Sequence, residues 1–233
     1  MCFSSNLKKQ LPNHVAFIMD GNRRWAKKKK LEIIDGHKKG SEIVKKIVKK
    51  SLEFNIKYLT FFSFSTENWS RSKDEILNLQ TLLSFYLDSE EEHFIKKRIK
   101  FSFIGEIEKF DFQIKSKLKS LQVRTRSFNK LHFTLALSYG SRSEIVNSIK
   151  KLNKNINLLT ELDISKSLMT KDIPDPDFVI RTSGEMRLSN FLLWQVAYSE
   201  LYFTKTLWPE FNTHKYVLAL KNYINRKRRF GGD

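Results

Sequence analysis

The stretch His14-Val-Ala-Phe-Ile-Met-Asp20-Gly-Asn-Arg-Arg-Trp25 decides the fold class of this chain. Its first half is a short apolar run rich in strand-forming residues, and its second half starts with a glycine and continues as a basic segment. This order predicts a buried strand, a tight turn and the start of a helix. Asp20 would then follow the carboxyl end of the strand, where open parallel sheets bind their ligands.

The same alternation of strand and helix signals continues along the chain. Further short apolar runs predict strands at residues 58–64, 100–104, 132–137 and 178–180. Apolar residues at helical spacing predict helices at residues 43–52, 76–87, 156–171, 191–198 and 213–228. Strands that alternate with helices are typical of βαβ units. We therefore predict one α/β domain over residues 1–233, with a central, mainly parallel sheet flanked by helices.

Two helix starts match the capping-box pattern, in which a hydroxyl residue is followed three positions later by a glutamate. They are Ser72 with Glu75, and Ser141 with Glu144. We expect each serine to lie at the amino-terminal cap of its helix.

Length and composition narrow the class of protein. With 233 residues, of which 40% are hydrophobic, the chain can bury one sizeable core, and it has no apolar run of the length that spans a membrane. Cys2 is the only cysteine, which excludes an internal disulfide. Because the first residues also lack the pattern of a secretory signal, we expect a cytoplasmic protein.

The net charge of +18 points to an anionic partner. Nucleic acid, an anionic membrane surface and small phosphorylated substrates all fit such a charge. Solvated lysine-rich helix faces are a simpler interpretation of much of the excess. The charge also suggests the hypothesis of peripheral contact with the inner face of a membrane.

Polar residues follow the predicted strands in two further places besides Asp20. The loop at residues 63–71 combines hydroxyls, a carboxamide, an indole and a guanidinium, although Trp69 alone is also explained as a core anchor. The segment after the strand at 178–180 carries Arg181, Arg187 and Ser189, and guanidinium groups with a hydroxyl are typical of phosphate binding. After Asp20, the helix start with Arg24 predicts a diphosphate cradle beside a Mg²⁺ ligand, although the same residues also form ordinary turns.

Two other residues carry little information alone. Glu200 follows the predicted helix at 191–198 and by itself is an ordinary surface glutamate. His37 follows Gly36 and fits either a phosphate donor or a capping histidine.

Taken together, the segments 14–25, 36–38, 64–71, 179–190, 191–209 and 228–232 resemble cis-prenyltransferases, and most of all bacterial undecaprenyl diphosphate synthases. The resemblance covers nearly the whole chain in the right order. It implies a homodimeric, Mg²⁺-dependent enzyme that condenses isopentenyl diphosphate with an allylic diphosphate such as farnesyl diphosphate. The implied product is a cis-polyprenyl diphosphate, namely undecaprenyl diphosphate, the precursor of the lipid carrier for cell-wall polysaccharides.

The resemblance also assigns roles to residues. It implies that Asp20 and Asn68 are catalytic, and that Asp20 and Glu200 hold Mg²⁺. The residues it implies in substrate binding are Gly21, Asn22, Arg23, Arg24, Trp25, His37, Phe64, Ser65, Thr66, Trp69, Arg71, Arg181, Arg187, Ser189, Arg229 and Gly231. Of these, Arg229 and Gly231 belong to a terminal motif that reaches the site of the neighbouring subunit.

A growing prenyl chain needs a dry tunnel, which the helix from Ile76 could line with Leu79, Leu82 and Leu83, together with Leu131. The alternative that these residues are plain core fits the sequence equally well. Two other classes of protein stay open as alternatives: a non-catalytic subunit of a prenyltransferase pair, and a basic nucleic-acid-binding protein. The catalytic set argues against the first, and the lack of a nucleic-acid reader motif argues against the second.

The sequence departs from the family pattern at one phosphate contact. Ile33 occupies the position four residues before His37 where the family has an arginine. We hypothesise that Lys29 or Lys30 replaces that arginine. Serines at positions 183 and 141 replace glycines of the family pattern and affect the expected flexibility of two loops.

Overall fold

A six-stranded parallel sheet forms the centre of the fold. The computed structural model describes residues 10–152 and 154–227. The strands are β1 (His14–Ile18), β2 (Tyr58–Ser65), β3 (Ile99–Ile104), β4 (Leu131–Tyr139), β5 (Phe178–Arg181) and β6 (Glu200–Phe203). Their order is β3-β4-β2-β1-β5-β6, and all five pairings are parallel. The predicted α/β class is confirmed.

Seven α-helices connect or follow the strands in the described residues. They are α1 (Asn22–Lys29), α2 (Ile33–Phe54), α3 (Lys73–Lys97), α4 (Phe112–Thr125), α5 (Ser141–Lys151), α6 (Glu161–Ser167) and α7 (Thr213–Ile224). Short 3-10 turns include Thr66–Ser70 after β2 and Trp208–Glu210 before α7. Among the described residues, no helix combines the length and the apolar character that crossing a membrane requires.

The strand β1 shows how the sheet divides the core in two. Val15 and Phe17 point into the larger cluster, whereas Ala16 and Ile18 point into the smaller one, as the two-residue repeat of a strand requires. All four side chains are buried, so β1 reads in the sequence as a continuous apolar run. The segments that follow β1, β2, β4 and β5 meet at the carboxyl edge of the sheet, and they carry most of the predicted site residues.

The predicted helix at residues 191–198 is wrong. This segment consists of turns, and Ser189, Asn190 and Leu192 have positive φ angles of 49°, 64° and 47°. Inside the segment the Val196 amide bonds to the Leu192 carbonyl at 3.0 Å, whereas the Leu193 amide donates to the Ser141 hydroxyl of α5 at 2.9 Å. The chain then enters β6, a strand that the sequence pattern did not predict.

Other boundaries also differ from the prediction. The helical pattern at 156–171 forms only the short helix α6 and a 3-10 turn, and the last helix ends at Ile224. Ser72 caps α3 as expected, since its hydroxyl accepts from the Glu75 amide at 3.4 Å. The capping box at Ser141 is wrong: Gly140 is the cap residue of α5, and the Ser141 hydroxyl is used by the turn segment.

Candidate functional site

The turn between β1 and α1 fixes the position of Asp20. Gly21 caps α1 with a φ of 114°, and a Cβ at this position would lie 3.0 Å from Leu207. Only glycine adopts this conformation readily. The carbonyl of Asp20 accepts from the Trp208 amide at 3.0 Å and from the Thr182 hydroxyl at 2.6 Å. The backbone is thereby held from two sides, and the carboxylate stands beside the amino terminus of α1.

Two arginines contact the Asp20 carboxylate. Arg181 Nη2 lies 3.1 Å and Arg24 Nη2 lies 3.2 Å from Asp20 Oδ2. Partial burial by itself would raise the pKa of the Asp20 carboxyl. Hydrogen bonds from Arg181 and Ser183 and the charges of both arginines outweigh this effect, so the pKa lies below its ordinary value. Asp20 is therefore ionised at neutral pH.

Arg181 connects Asp20 with the next loop. Its side chain is only 4% exposed, and Nη1 donates to the Ser189 hydroxyl at 2.8 Å and to the carbonyl of Arg187. Its Nε atom is buried without a hydrogen-bond partner among the described residues. Arg24 in turn donates to the carbonyl of Ser183 at 3.2 Å. The two arginines thus tie the segment after β5 to the start of α1.

The turn after β2 is built around Asn68. The Asn68 Oδ1 atom accepts from the Ser65 amide at 3.0 Å and completes a capping box with the Ser65 side chain. Beside it, Arg71 bonds to Glu75 at 3.1 Å, and Arg23 reaches the same carboxylate at 3.7 Å. Burial lowers the pKa of the Arg71 guanidinium, although Glu75 opposes this change, and the group stays cationic. Three guanidinium groups, those of Arg23, Arg24 and Arg71, therefore line one cleft.

His37 lies inside the second turn of α2, so it does not cap the helix. Its Nε2 atom is buried without a hydrogen-bond partner among the described residues, as is Asn22 Oδ1. Burial, with the charges of Arg71 and Arg23, lowers the pKa of His37 to about 4. The imidazole is neutral at pH 7. Because buried polar atoms are normally paired, the two unpaired atoms mark a place where a ligand can bond.

Two cavities meet at Asn22 and His37. One is a polar cleft of about 390 Å³ that contains Asp20, the guanidinium groups and Asn68. The other is an apolar tunnel of about 190 Å³ between α2, α3 and the sheet. Met19, Phe62 and Ser63 also line both cavities, so a ligand can place an anionic head in the cleft and an apolar tail in the tunnel.

Comparisons with known proteins agree with this arrangement. A profile of the family described as "Putative undecaprenyl diphosphate synthase" matches residues 18–231. The chain belongs to this family of prenyltransferases. An isoprenyl transferase from Thermotoga maritima is 46% identical over 228 residues, which cover 96% of this chain and 98% of that protein. One from Fusobacterium nucleatum is 44% identical, with 97% of this chain and 98% of that protein covered.

Solved structures of this prenyltransferase family share the fold. A lavandulyl diphosphate synthase from Lavandula x intermedia, in complex with dimethylallyl diphosphate, superposes with a TM-score of 0.92 at 33% identity. It covers 96% of this chain and 99% of its own. A probable undecaprenyl diphosphate synthase from Campylobacter jejuni has a TM-score of 0.77 at 33% identity, with coverages of 94% and 98%. The chain is therefore a cis-prenyltransferase, an enzyme of isoprenoid biosynthesis.

The structure brings most of the predicted prenyltransferase residues together. The cleft is lined by Asp20, Gly21, Asn22, Arg23, Arg24, His37, Ser65, Asn68 and Arg71. Phe64 lines the tunnel, and Arg181, Arg187 and Ser189 adjoin the cleft through Arg181.

Other described residues that were predicted to bind substrate do not line the cleft. Trp69 donates to the Ser138 hydroxyl at 2.8 Å and packs on Phe64, so it anchors the turn after β2. Trp25 and Thr66 are partly buried beside the cleft but do not line it. The predicted Arg229 and Gly231 lie outside the described residues.

Within one chain, Glu200 does not join Asp20 as a metal ligand. The register pairs Val15 with Phe178 and Phe178 with Glu200, so Glu200 lies at the amino edge of the sheet. Asp20 is five residues beyond Val15, or roughly 16 Å along the strand direction at about 3.3 Å per residue. Glu200 instead bonds to Arg226 at 2.6 Å. Among the described residues, no three His, Cys, Asp or Glu side chains are grouped to hold a metal ion.

Sequence reasoning missed several residues of the site. Trp208 is fully buried, lines the tunnel and donates to the carbonyl of Gly40 at 2.9 Å. The sequence marks Glu75 only as a cap residue, although its carboxylate forms ion pairs with Arg23 and Arg71 of the cleft. Leu131, predicted in the tunnel wall, is instead fully buried core away from the tunnel. Trp208 follows β6, a strand that the sequence pattern did not predict, so no local signal marked it.

Proposed function

We propose that this prenyltransferase adds isopentenyl diphosphate to an allylic diphosphate such as farnesyl diphosphate and makes undecaprenyl diphosphate, a precursor of cell-wall carrier lipid. The observation that carries the proposal is the junction of a cationic cleft with an apolar tunnel at Asn22 and His37. An allylic diphosphate has the matching form, with an anionic head and an apolar chain.

The allylic diphosphate is assigned to the start of α1. The first N–H groups of a helix have no partner within it, and the helix dipole adds positive potential there. Arg24 and Arg23 add cationic donors from the same helix. The related lavandulyl diphosphate synthase was solved with dimethylallyl diphosphate, which supports an allylic ligand for this fold. The neutral His37 can donate one hydrogen bond to the diphosphate.

Isopentenyl diphosphate is assigned to Arg187 and Ser189, next to Arg181. The Arg187 side chain is largely exposed and bonds to Glu185 at 2.5 Å. The Arg181 guanidinium already holds both Asp20 and Ser189, so it sets the spacing of the two diphosphates.

The proposed reaction breaks the allylic C–O bond, and the electron pair leaves with the diphosphate. The double bond of isopentenyl diphosphate then forms a C–C bond to the allylic carbon, and a proton is lost from the isopentenyl unit. Cations placed where negative charge develops lower this barrier. Asn68, fixed by Ser65, lines the cleft and is assigned to orienting the condensing groups.

Mg²⁺ is the proposed metal, held by Asp20. Magnesium commonly binds one or two carboxylates together with substrate phosphates, and Asp20 is an ionised carboxylate on a phosphate-sized cleft. When bound, the ion would neutralise charge on the leaving diphosphate. If Glu200 also contributes, it must come from a second copy of the chain, which agrees with the proposed homodimer. Peripheral contact with an anionic membrane stays a proposal that rests on the net charge.

The experiment is incubation of the protein with Mg²⁺, farnesyl diphosphate and labelled isopentenyl diphosphate, followed by sizing of the dephosphorylated lipid. We expect a polyprenyl product that requires both substrates and is lost when EDTA is added. Failure to incorporate label with any allylic diphosphate of different chain length would contradict the proposal.

A further inference from the structure

Asn190 lies where three segments of the chain meet. It directly follows Ser189, and its hydrogen bonds reach both the start of α5 and the 3-10 turn that carries Asn68. A Cβ at Gly140 would lie 2.8 Å from Asn190 Nδ2 and 2.8 Å from Thr66 Oγ1. The glycine therefore leaves room for side chains of the two other segments.

Asn190 satisfies the first amides of α5. Gly140 is the cap residue of this helix and has no side chain that could accept from them. Instead, the carbonyl oxygen of Asn190 accepts from the Ser141 amide at 2.8 Å, and its Oδ1 atom accepts from the Arg142 amide at 2.9 Å. The φ angle of Asn190 is 64°, in a left-handed region that asparagine adopts more readily than most residues. These contacts fix the orientation of the carboxamide.

The other end of the carboxamide contacts the turn after β2. Asn190 Nδ2 donates to Glu67 Oε1 at 3.3 Å, and Glu67 directly precedes Asn68 in the turn. Partial burial by itself would raise the pKa of the Glu67 carboxyl. Hydrogen bonds from its own amide, from two neighbouring hydroxyls and from Asn190 hold this pKa below its ordinary value. The acceptor is therefore charged at neutral pH, and such hydrogen bonds are stronger than neutral ones.

We propose that Asn190 is a positioning residue that couples the binding of isopentenyl diphosphate to the placement of Asn68. A diphosphate held by Arg187 and Ser189 fixes the segment that contains Asn190. The carboxamide then holds Glu67, and Glu67 holds the turn in which Asn68 faces the cleft. The inference rests on the proposed function, which assigns isopentenyl diphosphate to Arg187 and Ser189, and it adds a residue that acts through its neighbours.

The test separates this coupling from the capping of α5. Asn190→Asp keeps an oxygen that accepts from the Arg142 amide, but it places a second carboxylate against Glu67, and like charges repel. Glu67→Gln alone keeps an acceptor oxygen for Asn190. In the double variant, the amide introduced at position 67 can donate to the carboxylate introduced at position 190. The hydrogen bond is thereby restored in the opposite direction.

The matched control is Asn147→Asp. Asn147 of α5 donates to Glu106 at 3.1 Å, and neither residue lines the cleft or the tunnel. This variant creates the same pair of like charges at a distance from the two diphosphate sites. The values of kcat and of KM for each substrate are measured from initial rates, and the melting temperature is measured in parallel.

We expect Asn190→Asp to lower kcat about 10-fold, the effect of losing one hydrogen bond to a charged group. The KM for the allylic diphosphate should stay near that of wild type. Glu67→Gln should lose less than Asn190→Asp, the double variant should recover most of the lost kcat, and Asn147→Asp should match wild type in kcat. Glu67→Ala removes the acceptor from an exposed residue without changing α5, so it provides a second readout if Asn190→Asp does not fold.

Three results would overturn the inference while wild type condenses normally. They are wild-type kinetics in folded Asn190→Asp or Glu67→Ala, a double variant as slow as Asn190→Asp, and an equal loss of kcat in Asn147→Asp. A folded wild-type chain that condenses nothing would instead overturn the proposed function and this inference with it.

Discussion

The Asp20 carboxylate is partly buried and nevertheless ionised at neutral pH. The hydrogen bond from Arg181 and the charge of Arg24 offset the cost of its burial. A carboxylate held in this way keeps its charge and its direction when a diphosphate enters the cleft. Such preorganisation acts in the transition state more than in binding.

Replacing Asp20 with alanine should therefore lower kcat by about 10²- to 10³-fold, the range seen when one charge-stabilising group is removed. The overall fold should persist, because the backbone of Asp20 rather than its side chain is bonded to Trp208 and Thr182. Steady-state kinetics and circular dichroism measure the two effects. Asp35→Ala, which removes a carboxylate from the start of α2, is the control, and turnover near wild type in Asp20→Ala would refute the assigned role.

Arg181 is an equally specific case, because its planar guanidinium reaches Asp20, Ser189 and the carbonyl of Arg187 at once. A lysine has one ammonium group and cannot reproduce this geometry.

We expect Arg181→Lys to raise the KM for isopentenyl diphosphate by about 10- to 100-fold, since hydrogen bonds to charged groups contribute about 1.5–3 kcal/mol. The change should be smaller for the allylic substrate. Initial rates with each substrate varied in turn provide the measurement, with the exposed Arg126→Lys as control. Equal effects on both substrates would show that Arg181 supports the whole cleft and not one diphosphate.

At the scale of elements, the approach of α1 to α2 positions the cleft over the tunnel. A Cβ at Gly36 would lie 2.3 Å from the carbonyl oxygen of Asn22, so only glycine permits this contact. The next glycine of α2, Gly40, contacts both Asn22 and Trp208. The pair of glycines thus brings His37 to the junction of the two cavities.

Gly36→Ala should separate α1 from α2 and destabilise the protein by about 1–3 kcal/mol, as overpacking does. The clash is with backbone, so the gain in helix propensity of alanine cannot compensate. Thermal unfolding and activity should both fall, because His37 and Asn22 move together. Lys38→Ala on the exposed side of the same turn serves as the comparison, and a Gly36→Ala protein as stable as wild type would argue against the tight contact.

The elements that sequence analysis predicted best were those defined by local pattern. The strand β1 and the turn at Gly21 follow directly from an apolar run and a glycine. The segment 191–198 was predicted as a helix because leucine, tryptophan and valine occur there at helical spacing. Its Leu193 amide donates to the Ser141 hydroxyl, and Leu192 lies in a left-handed conformation. Tertiary contacts therefore override local propensity here.

The candidate site likewise contains residues that local sequence pattern predicts and residues whose position depends on tertiary contacts. Asp20 and Arg24 are predictable because one turn places them side by side. Glu75, near the start of α3, meets Arg23 of α1 only in the folded chain, and the sheet register keeps Glu200 away from Asp20 within one chain. Neither the position of Glu75 nor that of Glu200 can be predicted from spacing along the sequence. The replacement of the arginine expected at Ile33 by Lys29 or Lys30 stays a prediction.

At the scale of the whole molecule, the sheet contains two buried histidines, His14 on β1 and His132 on β4. His14 bonds to Thr60 at 2.8 Å, and His132 bonds to Ser102 at 2.8 Å. Desolvation is the main cause that lowers the pKa of each to about 4, from an ordinary value of 6.5. Both are neutral in the folded protein at pH 7.

Between pH 6.5 and 4 the unfolded chain therefore binds protons that the folded chain does not, and stability should fall as the pH is lowered through this window. The melting temperature measured from pH 7.5 to 5 should decrease, and the decrease should be smaller in His132→Gln. The exposed His214→Gln is the matched control. A melting temperature that is constant down to pH 5 would contradict the neutral state of these histidines.

A charged cleft at the edge of the sheet continues into an apolar tunnel beside the sheet, and the proposed function depends on this continuity. The most direct test is a crystal structure of the protein with a slowly reacting sulfur analogue of farnesyl diphosphate. We predict the diphosphate at the start of α1 beside Asp20 and Arg24, and the prenyl chain past His37 between α2 and α3. A diphosphate bound elsewhere, or a prenyl chain outside the tunnel, would contradict the account.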